Sequence, residues 1–217
     1  MPLTDLREIN ATTFIGFWQI TETVEALTLL FRKLRPQQEI PVFKSAVRQQ
    51  EWLASRILVY LLLQDFTSEP YQITSNENGK PEFTGTPYQV SVSQSGGMVA
   101  VLLSDCFEVG IDIEIIREKI LKLASKFLND KELQQANQDL KKTCLYWSAK
   151  ETLYKMYSRK KLLFKENLAV GPVWETEKGV LEGKVLVNNF HRNFTVHFEN
   201  FDNFMLTYCL ASPENEN

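Results

Sequence analysis

Gly110-Ile111-Asp112-Ile113-Glu114 and Trp147-Ser148-Ala149-Lys150-Glu151-Thr152-Leu153-Tyr154-Lys155 bound the stretch that decides the fold. Residues 107–115 read as a strand. Successive side chains on a strand alternate faces, so Ile111, Ile113 and Ile115 enter a core while Asp112 and Glu114 project together, roughly 6.5–7 Å apart along the strand. Residues 139–158 read as a helix. At about 100° per residue, Leu140, Cys144, Trp147 and Tyr154 fall near the direction of Glu151, and Leu145, Ala149, Leu153 and Met156 lie opposite. A helix apolar on two sides is packed on both, so Glu151 belongs to an inward stripe.

Three inward carboxylates need a positive partner. Asp112 and Glu114 side by side repel unless both are solvated or a cation sits between them. Glu151 has Lys155 at i+4, so a plain helical ion pair is one reading. The other is a hard cation such as Mg²⁺, which takes carboxylate oxygens and lets substrate phosphates complete its shell. In that reading Lys150 and Lys155 flank a phosphate chain on the ion. No Walker-type loop and no G-x-G-x-x-G occurs, so a glycine-rich phosphate cradle is excluded.

The chain around this stretch has 217 residues, enough for one large or two small domains, with 44% hydrophobic and 24% charged residues. A formal net charge of -3 argues against nucleic-acid binding through bulk charge. Cys106, Cys144 and Cys209 lie far apart without Cys-x-x-Cys spacing, which predicts free thiols in a reducing compartment and no zinc cluster. With only His191 and His197 present, a histidine-based site is not expected. Asp5, Arg7 and Glu8 interrupt the start of the chain, and the longest apolar block, residues 57–63, is too short to span a bilayer. The expectation is a soluble cytoplasmic protein with no membrane partner.

Working outward, residues 13–21 predict a first strand, 23–35 a helix stopped before Pro36, and 44–65 a long helix. On that helix Arg56 sits among Trp52, Leu53, Val59, Tyr60 and Leu63, so its guanidinium pairs with a core carboxylate or with a ligand phosphate. Asn78-Gly79 marks a turn. Strands follow at 88–93 and 98–104, separated by Ser93-Gln94-Ser95-Gly96-Gly97. After Arg117 an amphipathic helix to about Leu128 is expected, and then a shorter one capped at Asn129 or Asp130. Strands return beyond Lys161, in VWETEKGVLEG, VLVNNF, FTVHFE and FMLTYCLA. Each half gives helices and then a strand meander. This predicts an α+β fold of two similar subdomains, residues 1–107 and 108–217.

G-I-D-I-E followed by W-S-A-K-E-x-x-x-K, with 37 residues from Glu114 to Glu151, resembles the 4′-phosphopantetheinyl transferases of the larger, surfactin-synthetase-activating type. Asn78-Gly79-Lys80-Pro81, the segment Ser91-Val92-Ser93-Gln94-Ser95-Gly96, Arg56 within Ser55-Arg56-Ile57-Leu58, and Phe127-Leu128 with Glu132 match as well. The resemblance implies a pseudo-dimer of α+β subdomains with the active site between them. It implies Mg²⁺-dependent transfer of phosphopantetheine from coenzyme A to a serine of an apo-acyl or peptidyl carrier protein, releasing adenosine 3′,5′-bisphosphate. Asp112, Glu114 and Glu151 would bind Mg²⁺. Lys150 and Lys155 would bind the coenzyme A phosphates, and Lys80, Ser93 and Arg56 would line the nucleotide end, with Lys44 or Arg48 at the 3′-phosphate. Glu151 or a water takes the serine proton, and Lys155 stabilises the departing oxygen.

One position departs from the pattern: Gln94 stands where such enzymes usually carry a phosphate-contacting histidine. Glutamine still donates a hydrogen bond but does not titrate. The alternative to an active transferase is therefore a weakened relative that only binds coenzyme A or a carrier protein. A cleft held within one chain implies a monomer.

Overall fold

The computed structural model describes residues 3–158, 162–173, 176–187 and 190–213. Strands β1 (Leu3–Asn10) and β2 (Thr13–Gln19) form a hairpin, followed by helices α1 (Val24–Leu34) and α2 (Ala46–Leu63). A short ribbon, β3 (Thr74–Ser75) with β4 (Pro81–Glu82), precedes the hairpin of β5 (Gln89–Ser95) and β6 (Met98–Ser104). The chain then enters β7 (Glu108–Ile115), a 3-10 turn at Glu118–Leu123, and helices α3 (Ala124–Phe127), α4 (Asp130–Ala136) and α5 (Leu140–Tyr157). Helix α6 (Phe164–Asn167) leads to β8 (Leu168–Val170), β9 (Lys178–Val187), β10 (Phe190–Phe201) and β11 (Phe204–Ala211).

The fold is α+β, with two antiparallel sheets ordered β1-β2-β6-β5 and β7-β11-β10-β9-β8. The two-fold echo is topological. In each half a strand that precedes the helices, β2 or β7, pairs with the last strand of the half, β6 or β11. That last strand in turn pairs with the one before it.

Alternation along the strands builds a layered core. Trp18, Val99, Val101 and Leu103 face α1 and α2, packing on Leu27, Phe31, Leu53 and Ile57. The opposite face of the same sheet, with Ile15, Phe17, Ala100 and Leu102, meets Ile111, Ile113, Phe204 and Leu206 of the second sheet. Strand β6 is thus buried on both faces, which is why it reads as an unbroken apolar run. On the far side of the second sheet lies α5, with Cys144, Leu145, Ala149, Leu153 and Met156 in the core.

Local signals fix the helix ends. The Thr23 side chain accepts from Ala26 N to start α1. Asn129 and Glu132 form a reciprocal capping box on α4. Asp139 accepts from Lys142 N at 2.8 Å, and Ser158, in the left-handed region at φ 53°, closes α5. Helix α5 comes so close to β7 that a Cβ on Gly110 would stand 2.9 Å from Thr152 O and from Met156 Sδ.

Three expectations change. Strand β1 precedes the predicted first strand; it is a sheet edge, so its charged residues remain in solvent or pair, as Arg7 does with Glu199 at 2.7 Å. The helix expected after Arg117 is a 3-10 turn plus the single turn of α3, because Leu128 turns extended to enter the α4 cap. VWETEKGVLEG and VLVNNF are not two strands: β9 runs from Lys178 through Gly183 to Val187, and residues 174–175 and 188–189 lie outside the described residues. Among the described residues no helix is long and apolar enough to cross a membrane.

Candidate active site

A cleft of about 240 Å³ opens between the halves, walled by Asn78, Gly79, Lys80 and Pro81 on one side and Glu151, Tyr154 and Lys155 of α5 on the other. The turn at 76–80 owes its shape to Asn76, whose Oδ1 accepts from Asn78 N and Lys80 N. It is tied to the end of α5 by Asn78 Nδ2, which donates to Ser158 O at 2.9 Å. Lys80 Nζ lies 3.4 Å from Lys155 O, half-buried at the rim. Burial lowers the pKa of Lys80, with Glu108 and Glu82 opposing.

Behind Lys155 the strand carboxylates are held from several sides. Asp112 is buried, and its Oδ1 accepts from Ser93 Oγ at 2.8 Å and from Lys155 Nζ at 2.9 Å. Lys155 also donates to Ile111 O at 2.8 Å, so the helical pair between Glu151 and Lys155 is replaced by a pair between Lys155 and the strand. Glu114 accepts from Ser95 Oγ at 2.8 Å and from Trp147 Nε1 at 2.9 Å. Burial and the charge of Asp112 raise its pKa. Glu151 stands on the cleft wall with its pKa pushed up to about 7, first by burial and then by Asp112; Lys155 opposes this.

Three carboxylates thus share the field of one nearby ammonium. Asp112 Oδ2 is buried with no hydrogen-bond partner. A hard cation taking carboxylate oxygens fits this donor set and would satisfy that oxygen. Among the described residues no three carboxylate, thiol or imidazole side chains are already close enough to enclose an ion.

The other predicted residues are dispersed. Lys150 does not flank the cleft. It is fully buried, 2.7 Å from Glu132 Oε2, and its Nζ also donates to Phe127 O and Phe164 O. One position along a helix turns the side chain about 100°, and here that turn carries it from cleft wall to interior. Arg56 stacks on the Trp52 ring at 5.4 Å and forms no ion pair among the described residues; burial lowers its pKa. It does not line the cleft, nor do Lys44 and Arg48, both exposed, the latter paired with Glu51 at 3.4 Å. Gln94 is exposed on the face of β5 opposite Ser93 and Ser95. Sequence reasoning assigned no role to Trp147, although its position four residues before Glu151 was the available signal.

A strand bearing two carboxylates, a helix bearing the third, and a lysine-lined cleft between two α+β halves define a candidate phosphate-handling centre. The model of the 4′-phosphopantetheinyl transferase superfamily matches residues 108–209, just under half of the chain and the half that carries all three carboxylates. Among curated proteins, the 4′-phosphopantetheinyl transferase AcpT of Salmonella typhimurium is 34% identical over 128 residues, covering 55% of this chain and 65% of that protein. The AcpT of Salmonella typhi is 36% identical over 85 residues, covering 39% of this chain and 42% of its own length. The matched stretches therefore span less than two thirds of either relative.

Proposed function

We propose that this protein is a 4′-phosphopantetheinyl transferase of the larger, surfactin-synthetase-activating type. It moves the phosphopantetheine group from coenzyme A to a serine hydroxyl of an apo-acyl or peptidyl carrier protein and releases adenosine 3′,5′-bisphosphate. The observation that carries this reading is the cleft lined by Lys80, Glu151 and Lys155, in which Lys155 reaches Asp112, whose Oδ2 is unpartnered. Two subdomains dividing near residue 107, with the cleft between them, support a protein that acts as a monomer, and its three free cysteines support a reducing compartment such as the cytoplasm.

Asp112, Glu114 and Glu151 would hold Mg²⁺, which when bound supplies Lewis-acid stabilisation of charge on the diphosphate. The protein's own groups do the rest. Lys155, fixed by Asp112 and Ile111 O, neutralises the diphosphate and the departing oxygen. Lys80, on the cleft wall, is assigned to the nucleotide end; Arg56, Lys44 and Arg48 stand outside the cleft and would meet only a part of the ligand that extends beyond it. Glu151, or a water beside it, accepts the proton of the attacking serine. The serine oxygen bonds to the β-phosphorus as the bond from that phosphorus to the bridging oxygen breaks, and that oxygen leaves on adenosine 3′,5′-bisphosphate. Lys150 is removed from the phosphate contacts and given a structural role.

The alternative, a relative that binds without turnover, rested on Gln94, whose exposure leaves the carboxylates untouched. The test is labelling of a panel of purified apo-carrier proteins with fluorescent coenzyme A, with and without Mg²⁺. Mg²⁺-dependent labelling with release of adenosine 3′,5′-bisphosphate, abolished in Glu151→Gln, is the expected result. Labelling by Glu151→Gln at the wild-type rate would exclude this assignment of the metal site.

A further inference from the structure

Where the two sheets pack, their edge strands β5 and β7 run side by side without a backbone ladder, since they belong to different sheets. Serines take its place. Ser91, Ser93 and Ser95 occupy alternate positions on β5 and so share the face towards β7. Ile111 N donates to Ser91 Oγ at 3.0 Å, and Ile115 N donates to Ser95 Oγ at 3.1 Å. Between and beside these, Ser93 donates to Asp112 Oδ1 and Ser95 to Glu114 Oε2, each at 2.8 Å. The outer serine Ser91 touches only backbone. The other two fix one oxygen of each carboxylate, leaving the second oxygen of Asp112 unpartnered and that of Glu114 on Trp147 Nε1.

We infer that Ser93 and Ser95 are positioning residues, through which the first half aims the carboxylates that the second half contributes. The inference rests on the metal reading above for its consequence and on the serine ladder for its geometry. A hydroxyl that donates to one oxygen of a carboxylate fixes the rotamer and leaves the other oxygen to a ligand, the arrangement that tunes ligands from outside a metal's own shell. It also assigns Ser93 to the carboxylate rather than to coenzyme A. A loss there should appear first in cation binding and only secondarily in coenzyme A binding.

The experiment compares wild type, Ser91→Ala, Ser93→Ala, Ser95→Ala and Ser95→Thr. Mn²⁺ affinity is read from the electron paramagnetic resonance of free Mn²⁺, and the Trp147 indole N–H resonance is assigned with Trp147→Phe. Ser93→Ala and Ser95→Ala should each weaken Mn²⁺ binding roughly 10-fold. Ser91→Ala, which loses a seam hydrogen bond of the same kind, should leave Mn²⁺ affinity unchanged, and Ser95→Thr should restore it. The Trp147 indole resonance should move in Ser95→Ala, because Glu114 loses its second donor, and stay in place in Ser91→Ala. Unchanged Mn²⁺ affinity in both carboxylate-facing variants, or an equal loss in Ser91→Ala, overturns the inference. If wild-type protein binds no Mn²⁺, the metal reading falls. The indole resonance then decides positioning alone: movement in Ser95→Ala upholds it and no movement overturns it.

Discussion

The Lys150 ammonium lies 2.7 Å from Glu132 Oε2 with both side chains buried, and it reaches two backbone carbonyls, Phe127 O and Phe164 O. Glu132 in turn accepts from Asn129 N and Val170 N. One pair thereby ties α3, α4, α6 and β8 to the helix that carries Glu151. Removing one partner of such a pair strands a buried charge. Lys150→Met should lower unfolding stability by about 3–5 kcal/mol in urea titration. The double variant with Glu132→Leu should recover part of that loss; full recovery is not expected because two carbonyls still lack their donor and Asn129 N and Val170 N lose their acceptor.

Gly110 tests the contact between strand and helix. The added methyl of Gly110→Ala meets the backbone oxygen of Thr152, which a side-chain rotation does not relieve. A cost of about 1–3 kcal/mol is expected, seen as a lower melting temperature. Coenzyme A binding should weaken with it, since a shift of α5 moves Glu151 and Lys155 together. A melting temperature equal to wild type would show that α5 does not rest on β7 as described.

Arg56 should behave in opposite ways with and without ligand. Its guanidinium is largely withdrawn from water, stacks on Trp52 and has no carboxylate partner among the described residues. Arg56→Met removes that desolvation cost, so the melting temperature without ligand should rise. If the arginine serves a coenzyme A phosphate, calorimetric affinity for coenzyme A should fall in the same variant. A lower melting temperature would mean that the guanidinium already finds compensation within the protein.

The thiols differ in reach. Cys144 is buried with its pKa pushed up to about 12, by burial first and then by Glu114 and Asp112, and burial also raises that of Cys209. Cys106 is exposed. A disulfide reagent at pH 8 should titrate one thiol in the native protein and three after denaturation, because attack requires thiolate and access. Rapid reaction of all three in the native protein would contradict the burial of the other two.

Much of this was legible from residue order. Alternation in residues 108–115 gave the two faces of β7, and the inward stripe on residues 140–157 gave Glu151. Lys150 was not legible. A helix apolar on two sides offers no angular cue to which neighbouring cation enters the core, and the partner Glu132 lies in a different element. Strand β1 escaped because an edge strand keeps charge on both faces. Strand β9 was divided at Gly183, which reads as a turn; the glycine is there because a Cβ would press on Leu153 and Val196. Ser95 read as part of a loop and Ser93 as the last residue of a strand, and only the opposing strand shows what each hydroxyl meets.

The pairing of β7 with β11 also has a temporal side. Asp112 lies opposite Thr207 in that ladder, 95 positions later in the chain. At 5–20 residues per second, a ribosome takes roughly 5–20 s to supply that partner once Asp112 has been made. Until then β7 lies against the serines of β5 and the apolar face of the earlier sheet, and later α5, so the first half acts as a template on which the acidic strand waits. Contacts of such long sequence separation form slowly. Substitutions in β5 are therefore expected to slow refolding, as well as to loosen the finished site.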